Sequence, residues 1–376
     1  MRIVIATDSF KGSNSSLAAG NCMARGAAKV FPDADITVIP IGDGGEGTVD
    51  AVIQQLGGTM KHLTVTGPLG DQVEASYGTA DATAVIEMAS ASGLTLVPED
   101  RRNPLATTTY GTGELIADAI AHGCIRILVA IGGSATNDGG AGMAQALGWS
   151  FRDAEDKEIG FGGRALGGVR TIDASRVNPR LSSVSLEILS DVTNPLCGPN
   201  GASRVYGPQK GADDRMVELL DEHLFHLDYL VKEQLGLDLS GVPGSGAAGG
   251  LGFGLMAFAG GTLVPGIEAV LDVIGFSEQV KGADLVITGE GKMDGQSVQG
   301  KAPIGVAKAA KQFGIPVLAV VGDIGKDIQA VYDHGIDSVM SIVNRPMPLS
   351  TAMAESGDLL TDAVERALRM VRMGMR

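Results

Sequence analysis

The sequence is poor in aromatic residues, and its charge is mostly of one sign. Aromatic side chains make up 4% of the 376 residues, so we expect cores built from Ala, Val, Ile, Leu and Met instead of large rings. The formal net charge of −15 excludes general binding of nucleic acid, because a polyanion needs an extended basic surface. A small anionic substrate remains compatible with this charge if a few lysines gather in one pocket.

Cysteines and long apolar runs are scarce as well. The three cysteines, Cys22, Cys124 and Cys197, form neither a CxxC pair nor a Cys/His cluster, which excludes a disulfide framework and a zinc site. No apolar run reaches the roughly 18 residues of a membrane span. The first apolar run, residues 3–6, is too short for a signal peptide. We therefore expect a cytoplasmic protein with no membrane partner.

Histidine offers no site, whereas glycine is abundant. The 5 histidines form no Ser-His-Asp order and no spacing typical of a metal site. The 55 glycines either allow turns with positive φ or let backbone N–H groups approach a ligand closely. We therefore expect chemistry based on carboxylates, lysines and backbone amides, which is the set of groups that phosphoryl transfer uses.

The order of the predicted elements indicates an α/β protein. Predicted strands alternate with helices at residues 2–6, 36–41, 84–87, 125–131, 186–190, 284–288 and 316–321. This order is typical of parallel sheets. A chain of 376 residues is long enough for two domains. Because a hairpin-like stretch at 62–77 interrupts the alternation, we predict a discontinuous first domain, 1–69 plus 266–376, with residues 70–265 inserted as the second. Two sequential domains are the alternative.

The first of four polar loops, Asp8–Ser13, follows the first predicted strand. Loops at this position bind ligands in α/β sheets, because the N-termini of the following helices attract anions. This loop places Ser9, Lys11 and Ser13 ahead of a helix. The structural alternative is a capped turn in which Ser13 or Ser15 is the N-cap.

The second loop, residues 43–48, carries Asp43 and Glu46 among glycines. Near a phosphate, such carboxylates act as Mg²⁺ ligands, as partners of those ligands, or as bases. The alternative is a plain turn, in which Asp-Gly is common.

The third loop, Gly132–Gly142, is the most specific of these motifs. It follows a predicted buried strand and contains no large apolar side chain. We interpret it as a cradle for a phosphate or a carboxylate group, in which Ser134, Thr136 and Asn137 act as donors together with backbone N–H groups. A compact linker is the alternative.

The fourth loop begins at Gly289 and carries both acids and lysines. Its residues 295–301 spell the GxxxxGK of a Walker A motif. Ala302, however, stands where a Ser or Thr would hold Mg²⁺, and the predicted strand ends well before residue 295. We therefore exclude a P-loop kinase, although Lys301 can still reach a phosphate just before the next predicted helix.

Two further motifs carry less information. Residues 244–249 match the dinucleotide fingerprint GxGxxG, but no convincing strand precedes them, so packing is their expected role. Asp191 follows a predicted strand and has Asn194 close by. An isolated aspartate at such a place is usually a cap or turn residue, yet the position also suits a base.

Together these motifs resemble the bacterial glycerate kinases of the first type. The resemblance is carried, in chain order, by DSFKGS (8–13), DGGEGT (43–48), GTGELI (111–116), GGSATNDGGAG (132–142), DVTNP (191–195), GPQKG (207–211) and ITGEGKMDGQSVQGK (287–301). It extends from near residue 1 to beyond residue 320. The sequence departs from the family pattern at Gly12, where some members carry Glu, and at Lys292, where Arg is frequent.

The resemblance implies a reaction and a fold. The reaction is Mg²⁺-dependent transfer of a phosphoryl group from ATP to glycerate, at the 2-hydroxyl group, which gives 2-phosphoglycerate. The fold is α/β and two-lobed, with a Rossmann-like three-layer parallel-sheet domain, an inserted second α/β domain, and the active site in the cleft between them.

Each candidate residue then receives a role. As catalytic residues we assign Asp191, which accepts the proton of the glycerate hydroxyl group, and Lys11 and Lys301, which neutralise the transferring oxygens. The residues assigned to ATP are Ser9, Ser13, Gly132, Gly133, Ser134, Thr136, Asn137 and Lys292. Glycerate is assigned Asp43, Glu46 and Asn194, and Mg²⁺ is assigned Glu290 and Asp294. The sequence leaves open which of the two substrates Ser134, Thr136 and Asn137 contact.

Several alternatives stay open at this point. The first is transfer to the 3-hydroxyl group of glycerate. The second is a nicotinamide-dependent oxidoreductase that uses residues 244–249, and the third is a non-catalytic sensor of hydroxy acids or nucleotides. The acids of the polar loops count against a sensor. Whether the chain forms a homo-oligomer is also open.

Overall fold

The computed structural model of the protein describes residues 1–42, 45 and 47–375. The chain forms two compact units. The first consists of Met1–Asp43, Asp50–Leu56 and Ile267–Arg376, and the second of Gly44–Val49 and Gly57–Gly266. The first unit is thus built from both ends of the chain and the second mainly from its middle. The predicted border at residue 69 differs from this division, because the strand Thr59–Thr66 pairs within the second unit.

The elements follow one another in mixed α/β order. The strands are β1 (Arg2–Thr7), β2 (Asp35–Pro40), β3 (Thr59–Thr66), β4 (Gln72–Ala80), β5 (Thr83–Glu87), β6 (Arg126–Ala130), β7 (Ser150–Arg152), β8 (Thr171–Asp173), β9 (Ser185–Leu189), β10 (Thr262–Val264), β11 (Leu285–Met293), β12 (Val317–Ile324) and β13 (Ser338–Ser341). The helices are α1 (Ser16–Val30), α2 (Thr48–Leu56), α3 (Ala89–Ser92), α4 (Tyr110–Ala121), α5 (Ala141–Ala146), α6 (Ala202–Tyr206), α7 (Asp214–Leu235), α8 (Ala247–Ala259), α9 (Gly266–Val273), α10 (Phe276–Val280), α11 (Ala302–Lys311), α12 (Leu349–Ala354) and α13 (Ser356–Gly374).

The first unit contains a five-stranded parallel sheet in the order β13-β12-β11-β1-β2. Strand β1 lies between its neighbours with Ile5 opposite Ile287 and Val38. Helices α1 and α13 pack on one face of this sheet. Helix α11 packs against β1, β11 and β12 and shares no residue with that cluster, so it covers the opposite face. The strands are apolar and buried because both faces of the sheet are covered.

The second unit contains a six-stranded sheet in the order β10-β9-β6-β5-β4-β3. Strands β5, β6, β9 and β10 are parallel, whereas β3 and β4 form an antiparallel hairpin next to β5. Helices α4 and α8 pack on the sheet, and a further apolar cluster forms around α7. In that cluster the rings of Phe151 and Phe258 meet edge to face at 5.2 Å.

The predicted α/β class with parallel sheets is confirmed by both units. The parallel strands end at a common edge, so the loops that follow β1 and β11, and those that follow β6 and β9, leave their sheets side by side. Within the described part of the chain, no helix combines the length and the apolar character that crossing a membrane requires.

Candidate functional site

In the first unit, the loops that follow β1 and β11 lie next to each other. The hydroxyl group of Thr7 and the backbone N–H of Asp8 both donate to the carbonyl oxygen of Gly289, each at 3.0 Å. A Cβ atom added to Gly291 would stand 3.9 Å from the backbone nitrogen of Lys11. The structure therefore brings the first and fourth polar loops together, with Lys11 exposed.

The loop after β1 is held by its own hydrogen bonds. The backbone N–H of Ser9 donates to Oδ1 of Asp8 at 2.6 Å, and the hydroxyl group of Ser13 donates to the carbonyl oxygen of Phe10 at 2.9 Å. Of the two candidates for the N-cap of α1, the structure selects Ser15, whose Oγ accepts from the backbone N–H three residues on. Ser13 has no capping role, and it is exposed.

Past the buried part of β11, the fourth loop forms a small network around Ser297. Glu290 is 6% exposed, and its Oε1 accepts a hydrogen bond from the Ser297 hydroxyl group at 3.0 Å. The backbone N–H of Asp294 donates to Ser297 Oγ at 3.1 Å. Two lysines lie close to these acids, with Lys301 Nζ 3.8 Å from Glu290 Oε2 and Lys292 Nζ 3.6 Å from Asp294 Oδ2.

This network offers two carboxylates, Glu290 and Asp294, to a hard cation. Among the described residues, no group of three or more His, Cys, Asp or Glu side chains gathers as a metal site. Mg²⁺ in phosphoryl-transfer enzymes is commonly held by one or two carboxylates, with waters and substrate phosphates as its other ligands. The carboxylate of Glu290 accepts from Ser297, and the backbone N–H of Asp294 donates to the same hydroxyl group. Two such acids fit that pattern and do not form a closed protein cage.

A cavity of about 720 Å³ opens beside this network. It is lined by Lys292, Asp294, Gly295, Gln296, Gly325, Lys326, Asp327 and Ala330. Its walls carry two lysines and two aspartates, so it combines positive groups that attract phosphate with acids that compensate them. The stretch that imitates a Walker A motif lies between β11 and α11, where Lys301 is the N-cap residue of α11.

In the second unit, the glycine-rich loop after β6 is organised by Asp138. This side chain is 1% exposed and accepts four hydrogen bonds. Oδ2 accepts from the backbone N–H and the hydroxyl group of Thr109 at 2.8 and 2.9 Å, and from Gly142 N at 3.3 Å, while Oδ1 accepts from Gly140 N at 3.1 Å. Burial raises the pKa of Asp138, and these hydrogen bonds act in the opposite direction. The carboxylate thus ties the start of α4 to the start of α5.

Lys210 is a buried cation against the same loop. It is 1% exposed, and its Nζ donates to Ser134 Oγ and to the carbonyl oxygen of Thr136, each at 2.7 Å. Burial lowers the pKa of Lys210 to about 7, and the negative charge of Asp138 acts in the opposite direction. The amino group of Lys210 thus stands behind the predicted cradle.

Two polar atoms of this loop are buried without a hydrogen-bond partner. They are Oγ1 of Thr136 and Nδ2 of Asn137. The other amide atom of Asn137, Oδ1, accepts from the Ser203 hydroxyl group at 3.2 Å. The loop is buried because α8 packs directly on it: Gly249 has φ +69°, and a Cβ atom added there would lie 2.0 Å from the carbonyl oxygen of Thr136.

The GxGxxG stretch at 244–249 therefore packs against the loop. The element that precedes this stretch in the chain is the helix α7, not a strand. A dinucleotide fingerprint requires a strand at that place. The sequence match therefore lacks the context of such a site.

Asp191 and Asn194 follow β9, which is the neighbour of β6 in the sheet. Asp191 is exposed, and its Oδ1 accepts a hydrogen bond from the backbone N–H of Gly266 at 3.0 Å. Both ends of the Asn194 amide are engaged, with Oδ1 accepting from the Tyr206 hydroxyl group at 2.7 Å and Nδ2 donating to the carbonyl oxygen of Asn200 at 2.9 Å. Asn194 thus has a structural contact at each end, whereas Asp191 is an exposed residue.

The predicted residues therefore fall into separate groups. The first unit gathers Ser9, Lys11, Ser13, Glu290, Lys292, Asp294 and Lys301, and the second carries Gly132, Gly133, Ser134, Thr136, Asn137, Asp191 and Asn194. Asp43 and Glu46 lie outside the described residues. The sequence interpretation assigned no role to Lys210, Asp138 or Ser297, although each stands inside a motif it had singled out. The sequence signal that could have drawn attention to Lys210 is a single lysine that follows Gly207 and Pro208.

Comparisons with known proteins agree with one another. A sequence model described as the Glycerate kinase family matches residues 3–372. The chain is 51% identical to a glycerate kinase of Halalkalibacterium halodurans, over 98% of this chain and 97% of that one. It is 47% identical to a glycerate 2-kinase of Escherichia coli, over 100% and 99% of the two chains. A crystal structure described as a glycerate kinase 2 of Salmonella typhimurium superposes with a TM-score of 0.91 at 44% identity, and the match covers 100% of this chain and 99% of that one.

Proposed function

Since the chain belongs to the glycerate kinase family and is an enzyme of the kinase class, we propose that it transfers a phosphoryl group from ATP to the 2-hydroxyl group of D-glycerate. The products are then ADP and 2-phosphoglycerate. The observation that carries this proposal is the full-length similarity, at 47% identity, to a protein named glycerate 2-kinase.

Asp191 is the base in this proposal. An exposed carboxylate at the end of a parallel strand is placed to accept a proton from a substrate hydroxyl group. Its Oδ1 accepts from Gly266 N at 3.0 Å, which fixes the side chain.

Lys11 and Lys301 neutralise the charge that develops on the transferring phosphoryl oxygens. Phosphoryl transfer depends mainly on such positioning and charge stabilisation. The Lys11 side chain is exposed, and that of Lys301 is 40% exposed. Both are accessible to a ligand, and they stand on the two loops that meet at the edge of the first sheet.

Glu290 and Asp294 would hold Mg²⁺. When bound, this ion neutralises the oxygens of the triphosphate. Ser297 donates to the Glu290 carboxylate, and the Asp294 carboxylate accepts from the backbone N–H of Gln296. Lys301 and Lys292 limit the local excess of negative charge.

The remaining assignments concern binding. We propose Ser9, Ser13, Gly132, Gly133, Ser134, Thr136, Asn137 and Lys292 for ATP, and Asp43, Glu46 and Asn194 for glycerate. Hydroxyl, amide and ammonium donors support the first set, because phosphate oxygens accept hydrogen bonds. The engaged amide of Asn194 means that its role requires an exchange of partners. A cytoplasmic location completes the proposal and agrees with the free thiols of Cys22, Cys124 and Cys197.

The test is an assay of ADP release by the purified chain with ATP, Mg²⁺ and D-glycerate, followed by identification of the product by ³¹P and ¹H NMR. ADP formation that requires D-glycerate, with 2-phosphoglycerate as product, is the expected result. A 3-phosphoglycerate signal would reassign the hydroxyl group. Binding of both substrates without ADP release would leave a sensor, and NADH binding in place of ATP would indicate an oxidoreductase.

A further inference from the structure

We propose that Lys210 is a positioning residue that orients the hydroxyl group of Ser134, so that this group donates a hydrogen bond to an anionic oxygen of the substrate. The oxygen belongs either to a phosphate of ATP or to the carboxylate of glycerate. The inference rests on the proposed function, because it requires Ser134 to contact one of these substrates.

The hydrogen bond between Lys210 and Ser134 has a defined direction. Lys210 Nζ lies 2.7 Å from Ser134 Oγ. An ammonium group has three N–H donors and no acceptor, so Ser134 Oγ accepts whenever Lys210 is charged. The hydroxyl proton of Ser134 then points away from Lys210. Within the described part of the chain, that proton has no other acceptor.

The charge of Lys210 is buried without a contacting carboxylate in the described part of the chain. Among the described residues, no carboxylate forms an ion pair with Lys210, which is 1% exposed. The nearby Asp138 directs its oxygens to Thr109, Gly140 and Gly142. Burial of a cation without a contacting anion is costly. An anionic ligand beside Ser134 would offset that cost, and it would raise the lowered pKa of Lys210.

The glycine-rich loop also contains polar atoms that lack hydrogen-bond partners. Thr136 Oγ1 and Asn137 Nδ2 are buried and lack partners, although a buried polar group without a partner is expensive. With the amine of Lys210 and the hydroxyl group of Ser134, they give the loop an excess of donors over acceptors. Gly132 and Gly133, which precede Ser134 in the loop, are exposed. Such an excess of donors favours an anion.

The test uses the whole protein and measures binding without turnover. Calorimetric titrations with ATP, D-glycerate and inorganic phosphate are made on the wild type, Lys210→Met, Ser134→Ala and the double variant. We expect the affinity for one of these anions to fall roughly 10- to 100-fold in each single variant, which is the usual worth of a hydrogen bond to a charged group. The double variant should lose no more affinity than the single variant with the lower affinity, because both changes remove the same contact. The anion that loses affinity identifies the group that Ser134 contacts.

Two further variants separate positioning from folding. Lys210→Arg keeps the charge and should restore part of the lost affinity, whereas Lys210→Gln keeps a donor without the charge and should not. Circular dichroism and the melting temperature report the fold of each variant. If Lys210→Met does not fold, Lys210→Gln takes its place in the cycle.

The outcomes distinguish this inference from the proposed function. The inference is overturned and the function stands if the protein turns over glycerate but its anion affinities do not depend on Lys210. The same holds if the losses of affinity in the double variant are additive. The function is overturned and the inference stands if the protein shows no turnover but binds an anion in a way that requires both Lys210 and Ser134. A wild type that binds none of the three anions overturns the inference.

Discussion

Asp138 accepts hydrogen bonds from both the backbone N–H and the hydroxyl group of Thr109, at 2.8 and 2.9 Å, although the two residues are 29 positions apart. The same carboxylate accepts from Gly140 and Gly142. The glycine-rich loop is therefore shaped by one buried acid as much as by its glycines.

This arrangement predicts the effect of Asp138→Asn. The amide group replaces an acceptor oxygen by a donor, so at least one buried N–H group loses its partner. We expect the free energy of unfolding to fall by about 2 to 4 kcal/mol, measured by urea denaturation. The matched control is Asp156→Asn, since Asp156 is 78% exposed and should change stability by less than about 1 kcal/mol. Equal effects at the two positions would contradict the buried network.

Gly249→Ala tests the packing of α8 on the loop. Gly249 has φ +69°, and the added Cβ would meet the carbonyl oxygen of Thr136 at 2.0 Å. We expect a loss of more than about 3 kcal/mol in the free energy of unfolding, from backbone strain and overlap together. Gly260→Ala separates the two causes, because Gly260 has φ +67° and open space around its Cα. That variant should lose only about 1 kcal/mol, and an equal loss in both would show that the close approach is unimportant.

The buried amine of Lys210 predicts a pH dependence of stability. Its pKa is lowered to about 7 in the folded protein from 10.5. Between these values the unfolded chain binds more protons, so the contribution of Lys210 to the free energy of unfolding rises with pH, by at most about 1.4 kcal/mol per unit. Below pH 7 the contribution is constant.

The measurement compares the wild type with Lys210→Met by urea denaturation between pH 6 and 9. The difference in stability should move in favour of the wild type as the pH rises above 7. Other titrating groups are common to both proteins and cancel. Curves that stay parallel across the range would show that Lys210 keeps its ordinary pKa.

Asp191→Asn tests the proposed base. The amide oxygen can still accept from Gly266 N, while the proton acceptor is lost. We expect kcat to fall by roughly 10² to 10⁴, with KM values changed only a few-fold. The control is Asp213→Asn, because Asp213 is an exposed N-cap whose side chain accepts from Met216 N at 2.8 Å, and Asn caps equally well. Full turnover by Asp191→Asn would remove Asp191 from the chemistry.

Glu290→Gln tests the proposed Mg²⁺ site. The substitution keeps an oxygen for the Ser297 hydroxyl group and removes one negative charge. The Mg²⁺ concentration that gives half-maximal ADP release should rise at least about tenfold at saturating ATP, because carboxylates dominate the affinity of hard cations. Glu278→Gln, at a side chain that is 81% exposed, should leave that concentration unchanged. The same response from both variants would argue against Glu290 as a ligand.

The alternation of strands and helices, and hence the α/β class, was predictable because buried parallel strands are continuous apolar runs. The polar loops were predictable for the same reason, since they are the breaks between those runs. The burial of Lys210 and Asp138 was not, because it depends on α8 and the residue 207–211 turn packing onto a loop far away in the sequence. The sequence also did not predict which of Ser13 and Ser15 is the N-cap, because both spacings suit a cap.

Strand β11 does not stop where its apolar run stops. Beyond Glu290 it keeps its pairing with β12 as far as Lys292 opposite Asp323 and Met293 opposite Ile324. Successive side chains of a strand alternate between faces, so the acid at 290 and the lysine at 292 project from the same side of one continuous ladder. The spacing of their Cα atoms is therefore set by the pleat of the sheet and not by the conformation of a loop.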